Sequence, residues 1–158
     1  MSARCPTVEL ATYAPEFAAA FARLNYQWIE QFFAVEAEDC KALEDPEGYA
    51  INRGGQIFLV LEDAVPVGCV AMVPYSDEVM ELAKMAVRPD KQGRGYSKML
   101  MQACIDFAHA AHAREIVLVT NDILKPALAL YERAGFVAQE QLADARYARG
   151  NLEMRLKL

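Results

Sequence analysis

Residues 87–100 read Val-Arg-Pro-Asp-Lys-Gln-Gly-Arg-Gly-Tyr-Ser-Lys-Met-Leu, with Gly93 and Gly95 set among the cations Lys91, Arg94 and Lys98. Glycine, lacking a Cβ, takes up backbone dihedrals closed to other residues and lets a ligand approach the main chain. The amphipathic run that follows starts a helix, whose N-terminus offers unpaired N–H groups and a partial positive charge. Glycines, cations and a helix start together describe a seat for the phosphates of a ligand. Other chemistry is poorly provided for. Cys5, Cys40, Cys69 and Cys104 show no C-x-x-C spacing, and Cys69 and Cys104 fall in apolar patterns that suit core packing. His109 and His112 lack the companions of an H-E-x-x-H zinc site, so no metal is expected. No Gly-Lys-Ser/Thr follows the glycines, which removes the Walker type of phosphate loop.

The turn must be held from both sides. Leu100, Ala103, Cys104, Phe107, Ala108 and Ala111 recur at helical spacing and predict one buried helix face. Residues 79–87 read as a strand before the turn, and residues 115–120 form a continuous apolar run suited to a strand buried on both faces. The unit 79–120 therefore predicts two parallel strands joined by a right-handed helical crossover. Upstream, the pattern gives a strand over 8–13, a helix over 15–33, a helical turn over 37–43 ended by a loop, and a hairpin of 57–61 with 65–73. Downstream, Pro126 opens and Gly135 closes a short helix, and strands are expected over 136–142 and 152–158.

The 158 residues make one domain, 1–158, with 54% hydrophobic and 24% charged residues. No apolar run approaches the ~20 residues of a membrane span, and the first residues hold no run of signal-peptide length. A cytoplasmic protein that binds no membrane is expected. The net charge of -6 argues against a nucleic-acid surface. Residues 84–98 nevertheless carry a local +4, from Lys84, Arg88, Lys91, Arg94 and Lys98 against Asp90. The sequence thus predicts one basic patch on an acidic body, and the acidic body favours a cationic acceptor.

Gln92-Gly93-Arg94-Gly95-Tyr96-Ser97 resembles the Q/R-x-x-G-x-G/A motif of the GNAT N-acetyltransferase superfamily, and Leu130-Tyr131-Glu132-Arg133-Ala134-Gly135-Phe136 resembles that family's second signature, L-Y-x-K/R-x-G-F. The likeness is close over residues 57–158 and holds only in outline over the first 56. It implies an α/β (α+β mixed sheet) fold: a twisted, mostly antiparallel sheet with a central parallel strand pair and helices on both faces. It also implies acetyl-CoA as donor and transfer by direct attack of a small-molecule primary amine in a ternary complex. A protein lysine or N-terminal acetyltransferase, and a non-catalytic acyl-CoA-binding module, stand as alternatives. A homodimer follows by the same analogy.

Carried over onto these residues, the resemblance assigns the main chain of Met85, Ala86 and Val87 to the pantetheine arm, as an added strand. Backbone N–H groups of Gln92, Gly93, Arg94, Gly95, Tyr96 and Ser97 would hold the pyrophosphate, with Arg94, Lys98 and Lys125 adding charge. Glu81 matches the position of a catalytic base, needed because an alkyl ammonium with a pKa of about 10 cannot attack at neutral pH. Tyr131 matches the general acid for the departing thiolate. Two positions depart from the family pattern. Ser97 replaces a Gly or Ala, its hydroxyl being able to cap the helix or touch a phosphate oxygen, and Leu124 stands where relatives carry an Asn that Asn121 could replace. The acceptor site is expected at the first helix, through Asn25 and Tyr26, and at residues 147–151. Phe21, Trp28 and Phe32 are assigned to the core by their helical spacing.

Overall fold

The computed structural model describes residues 4–142 and 146–158. Among them, β1 (Val8–Thr12), β2 (Gln56–Glu62), β3 (Val65–Ser76), β4 (Val79–Val87), β5 (Glu115–Thr120), β6 (Val137–Ala138) and β7 (Leu152–Lys157) form one sheet. The strand order is β1-β2-β3-β4-β5-β7-β6, and β4 with β5 is the parallel pair in an otherwise antiparallel sheet. The mixed sheet expected from the sequence is therefore the fold.

Side chains alternate across β2, so one strand feeds two cores. Ile57, Leu59 and Leu61 pack with Phe21, Leu24 and Ile29 of α1 (Ala18–Phe32) on one face. Phe58 and Val60 join Leu100, Cys104 and Ala108 of α4 (Tyr96–Ala110) on the other, where α5 (Lys125–Ala134) adds Tyr131. Each fully buried aliphatic side chain contributes roughly 1.5–3 kcal/mol, so the two clusters fix the sheet between its helices.

Two local expectations are corrected, and β4 adds a feature that the sequence pattern did not announce. The loop expected after residue 44 contains a helical turn, α3 (Pro46–Tyr49), which follows α2 (Ala37–Glu44). Pro46 has a helical φ built in, and Asp45 accepts the Gly48 N–H at 3.0 Å, so proline and aspartate start a turn here instead of ending one. The strand expected over 136–142 shrinks to Val137–Ala138, a two-residue edge strand with both residues exposed, because an edge with no buried face gains little from pairing further. Finally, β4 carries a bulge. Cys69 faces Ala86 and Ala71 faces Ala83, which leaves Lys84 and Met85 opposite one residue, and Lys84 takes a φ of 58°.

Candidate active site

Pairing between β4 and β5 ends at Glu81 opposite Val117, although β4 runs on to Val87 and β5 to Thr120. The two strands part, and a cavity of about 460 Å³ opens between them. Met85, Ala86 and Val87 line it from β4, and Leu118, Val119 and Thr120 from β5. At one end lies the glycine turn. Gly93 and Gly95 have φ of 79° and 83°, left-handed values that favour glycine, and a Cβ at either would meet nothing within 4 Å. Their role is thus conformational. Gly95 is the N-cap of α4, no side chain caps this helix, and its first turn has no acidic residue. Ser97 lines the cavity with Gln92 and Gly93, and the capping role expected of its hydroxyl is not the one observed.

The cations around the turn are mostly committed elsewhere. Glu62, at the end of β2, accepts hydrogen bonds from Lys91 Nζ at 2.7 Å and Tyr96 Oη at 2.6 Å, and pairs with Arg94 at 3.3 Å. Hydrogen bonds from Lys91 and Tyr96 hold its carboxyl below the usual range. Arg88 pairs with Asp90, and Lys84 with Asp39. The basic patch predicted from residues 84–98 is therefore largely neutralised, with Lys98 the one of its cations that has no ion-pair partner among the described residues. Arg94 lies outside the cavity wall and braces the turn through Glu62. Lys98 and Lys125 are exposed near the starts of α4 and α5, also outside the wall.

Glu81 and Tyr131 both line the cavity. Glu81 is 5% exposed, and its Oε2 accepts a hydrogen bond from Arg146 Nη2. Tyr131 is 8% exposed, with its ring 6.0 Å from that of Phe136, and burial pushes its hydroxyl up to about 12. It stays a neutral donor across the physiological range. A carboxylate and a phenol 50 residues apart in sequence thus line one cavity, together with Ser97 of the uncapped helix.

The family model described as the acetyltransferase (GNAT) family matches residues 21–136. The chain belongs to the GNAT acetyltransferase family. It is 32% identical over 134 residues to an uncharacterized N-acetyltransferase of Schizosaccharomyces pombe, covering 82% of each chain. It is 34% identical over 96 residues to the N-acetylaspartate synthetase of Xenopus tropicalis, spanning 60% of this chain but only 35% of that protein. Among solved structures, a GNAT acetyltransferase from Staphylococcus aureus superposes with a TM-score of 0.88 at 18% identity, over 96% of this chain and 99% of the other. The PaiA N-acetyltransferase of Thermoplasma acidophilum, solved in complex with coenzyme A, superposes with a TM-score of 0.76 at 13% identity, over 96% and 99% of the two chains.

This GNAT acetyltransferase closes the far end of its cavity with charges that sequence reasoning missed. Asp39, fully buried in α2, accepts from Lys84 Nζ at 2.9 Å and from Arg149 Nη2 at 2.6 Å. Burial alone would raise its carboxyl, but the Arg149 and Lys84 hydrogen bonds outweigh that and bring it to about 2. Glu36 accepts from the Ala148 N–H at 2.9 Å and from Arg149 at 3.2 Å. Asn121, read as a stand-in for a pantetheine contact, lines the cavity beside Leu124 but donates to the Arg149 carbonyl at 2.7 Å and accepts from the Ile123 N–H at 3.0 Å. Residues 147–150 thus form a strap held to α2 on one side and to the end of β5 on the other. Asn25 also lines the cavity, with its amide spent on the Phe21 carbonyl at 3.0 Å and the Cys69 sulfur at 3.3 Å. Tyr26 does not; it is half-buried beside Cys40. The aromatic wall is made instead by Trp28, Phe32, Phe33, Tyr49 and Tyr147. Phe32, assigned to the core by spacing, is 45% exposed. Among the described residues, no group of three or more His, Cys, Asp or Glu could hold a metal ion, and no helix is long and apolar enough to cross a membrane.

Proposed function

We propose that this chain transfers the acetyl group of acetyl-CoA to the primary amine of a small molecule. One observation carries the reading: a single cavity joins Gln92, Gly93 and Ser97, at the uncapped start of α4, to Glu81 and Tyr131. The residues present fit the donor. Left-handed glycines leave the main chain open to a pyrophosphate, and the parted strands leave the β4 edge at Met85, Ala86 and Val87 free to pair with an extended arm. Acetyl-CoA, when bound, supplies an acyl group already activated as a thioester.

The main chain from Gln92 to Ser97 binds the pyrophosphate, and Lys98 and Lys125 add charge from the surface. Arg94 and Lys91 fix the turn through Glu62. Glu81 takes the proton of the incoming ammonium, directly or through water, and its partner Arg146 holds the carboxylate in place on the cavity wall. Tyr131 donates a hydrogen bond to the charge developing on the departing sulfur, since burial holds the hydroxyl neutral, and the thiolate takes its proton from water on release. The strap supports a small acceptor: tied to Glu36, Asp39 and Asn121, its Tyr147, Arg149 and Gly150 line the cavity and limit the room beside Glu81. The relative named for N-acetylaspartate synthesis agrees with a small acceptor. The test is release of free thiol from acetyl-CoA on adding amines. Release well above hydrolysis supports the reading, and bound coenzyme A with no release for any amine would leave only an acyl-CoA-binding module.

A further inference from the structure

We infer that the acceptor is a monoamine with an aromatic or branched apolar body, an inference that rests on the acetyltransferase reading above. Two features of the acceptor end carry it. The first is an aromatic wall whose outer ring, Phe32, belongs to neither core, while Trp28 and Phe33 are partly buried against the core under α1. Trp28 lies 6.0 Å from Phe32 and 6.1 Å from Phe33, ring to ring, and all three line the cavity. Phe32 remains 45% exposed on that wall. A ring left in water at the mouth of a pocket is covered when an apolar ligand enters.

The second feature is the charge balance. Glu81 is the single carboxylate among the described residues of the wall, and Arg146 is already on it. Lys84 and Arg149 also line the cavity, each 4.5 Å from the centroid of the Tyr147 ring, with Asp39 behind them. One ammonium can be placed against Glu81. A second or third would face Lys84 and Arg149, with no further carboxylate among the described residues of the wall to receive it, and like charges repel. The acidic surface of the whole chain is therefore a misleading guide to the acceptor, because the charge at the site itself is balanced.

The experiment compares 2-phenylethylamine, isoamylamine, spermidine and a lysine-containing hexapeptide by thiol release at saturating acetyl-CoA, with coenzyme A binding measured separately by calorimetry. The inference predicts kcat/KM for the two monoamines at least tenfold above those for spermidine and the peptide. Phe32→Ala should then raise KM for 2-phenylethylamine about fivefold or more, and Phe32→Leu should restore most of it for isoamylamine. Coenzyme A affinity should stay unchanged in both variants. Preference for spermidine, or a Phe32→Ala loss equal for every amine, overturns the inference and leaves the acetyltransferase reading standing; preference for the peptide also overturns the small-molecule acceptor, and no turnover of any amine by protein that binds coenzyme A overturns both. Failure to bind coenzyme A overturns both.

Discussion

Removing one oxygen at Tyr131 separates two chemical roles that a phenol can play. An unperturbed phenol titrates near 10 and an alkyl thiol near 8.5, which would make proton delivery to a thiolate only mildly uphill. Burial pushes the Tyr131 hydroxyl up to about 12. Against a thiol near 8.5, complete transfer is then uphill by roughly 3.5 pK units, or about 5 kcal/mol. A full general-acid factor of about 10² to 10⁴ is therefore too much to expect. What remains is one hydrogen bond to developing charge, worth about 1.5–3 kcal/mol, so Tyr131→Phe should lower kcat about 10- to 150-fold. The ring keeps its contact with Phe136 at 6.0 Å, and folding and coenzyme A affinity should change little. The assay is thiol release at saturating acetyl-CoA and amine, with calorimetry for coenzyme A and a pH profile from 7 to 10. Because the hydroxyl titrates near 12, the wild-type profile should show no basic limb that the variant lacks. Unchanged turnover would remove the role, and a wild-type limb near pH 10 that is lost in Tyr131→Phe would refute the desolvation argument.

Glu81→Gln should lower turnover at pH 7, where only about one alkyl amine in a thousand is unprotonated; its rate should climb nearly tenfold per pH unit to pH 9, more steeply than wild type, and parallel profiles would show that Glu81 is no base. Gly95→Ala forces a Cβ onto a φ of 83° in open space, so calorimetry should find coenzyme A affinity reduced several-fold through a strain of about 1–2 kcal/mol. Asp39, lowered from 3.8 to about 2 in the fold, contributes stability that is fully present above the unfolded value and is lost as pH falls toward the folded one. That amounts to about 2 kcal/mol, visible as a drop in urea stability between pH 4 and 2. Asp39→Ala at pH 7 strands the buried Lys84 and Arg149 and should cost about 3–5 kcal/mol by denaturant titration.

What could be read in the sequence was what is written locally. The glycine turn, the strand–helix–strand unit and the alternation of β7 depend on neighbours a few residues apart, and the motifs around Gly93 and Tyr131 brought two distant segments to one cavity. Charge pairing was hidden. Lys84, Lys91 and Arg94 looked like a patch because they are close along the chain, whereas their partners Asp39 and Glu62 come from α2 and β2. Asp39 gives a local hint, since it closes a capping box with Glu36, but nothing local tells that Arg149, 110 residues on, completes it. Helical spacing also misjudged Phe32. It lies on the same face as Phe21, but at the last turn of α1 it lines the cavity and belongs to neither core. The bulge at Lys84, which turns its ammonium toward Asp39 and Tyr147, leaves no signature in a strand that alternates only loosely.

The account stands or falls on a pyrophosphate held by the main chain at residues 92–97. Calorimetric titration of the protein with coenzyme A and, in parallel, with pantetheine measures that contribution directly. The account predicts saturable binding of coenzyme A at micromolar concentration and binding of pantetheine weaker by at least a hundredfold. Equal affinities, or no heat from coenzyme A at millimolar concentration, would contradict it.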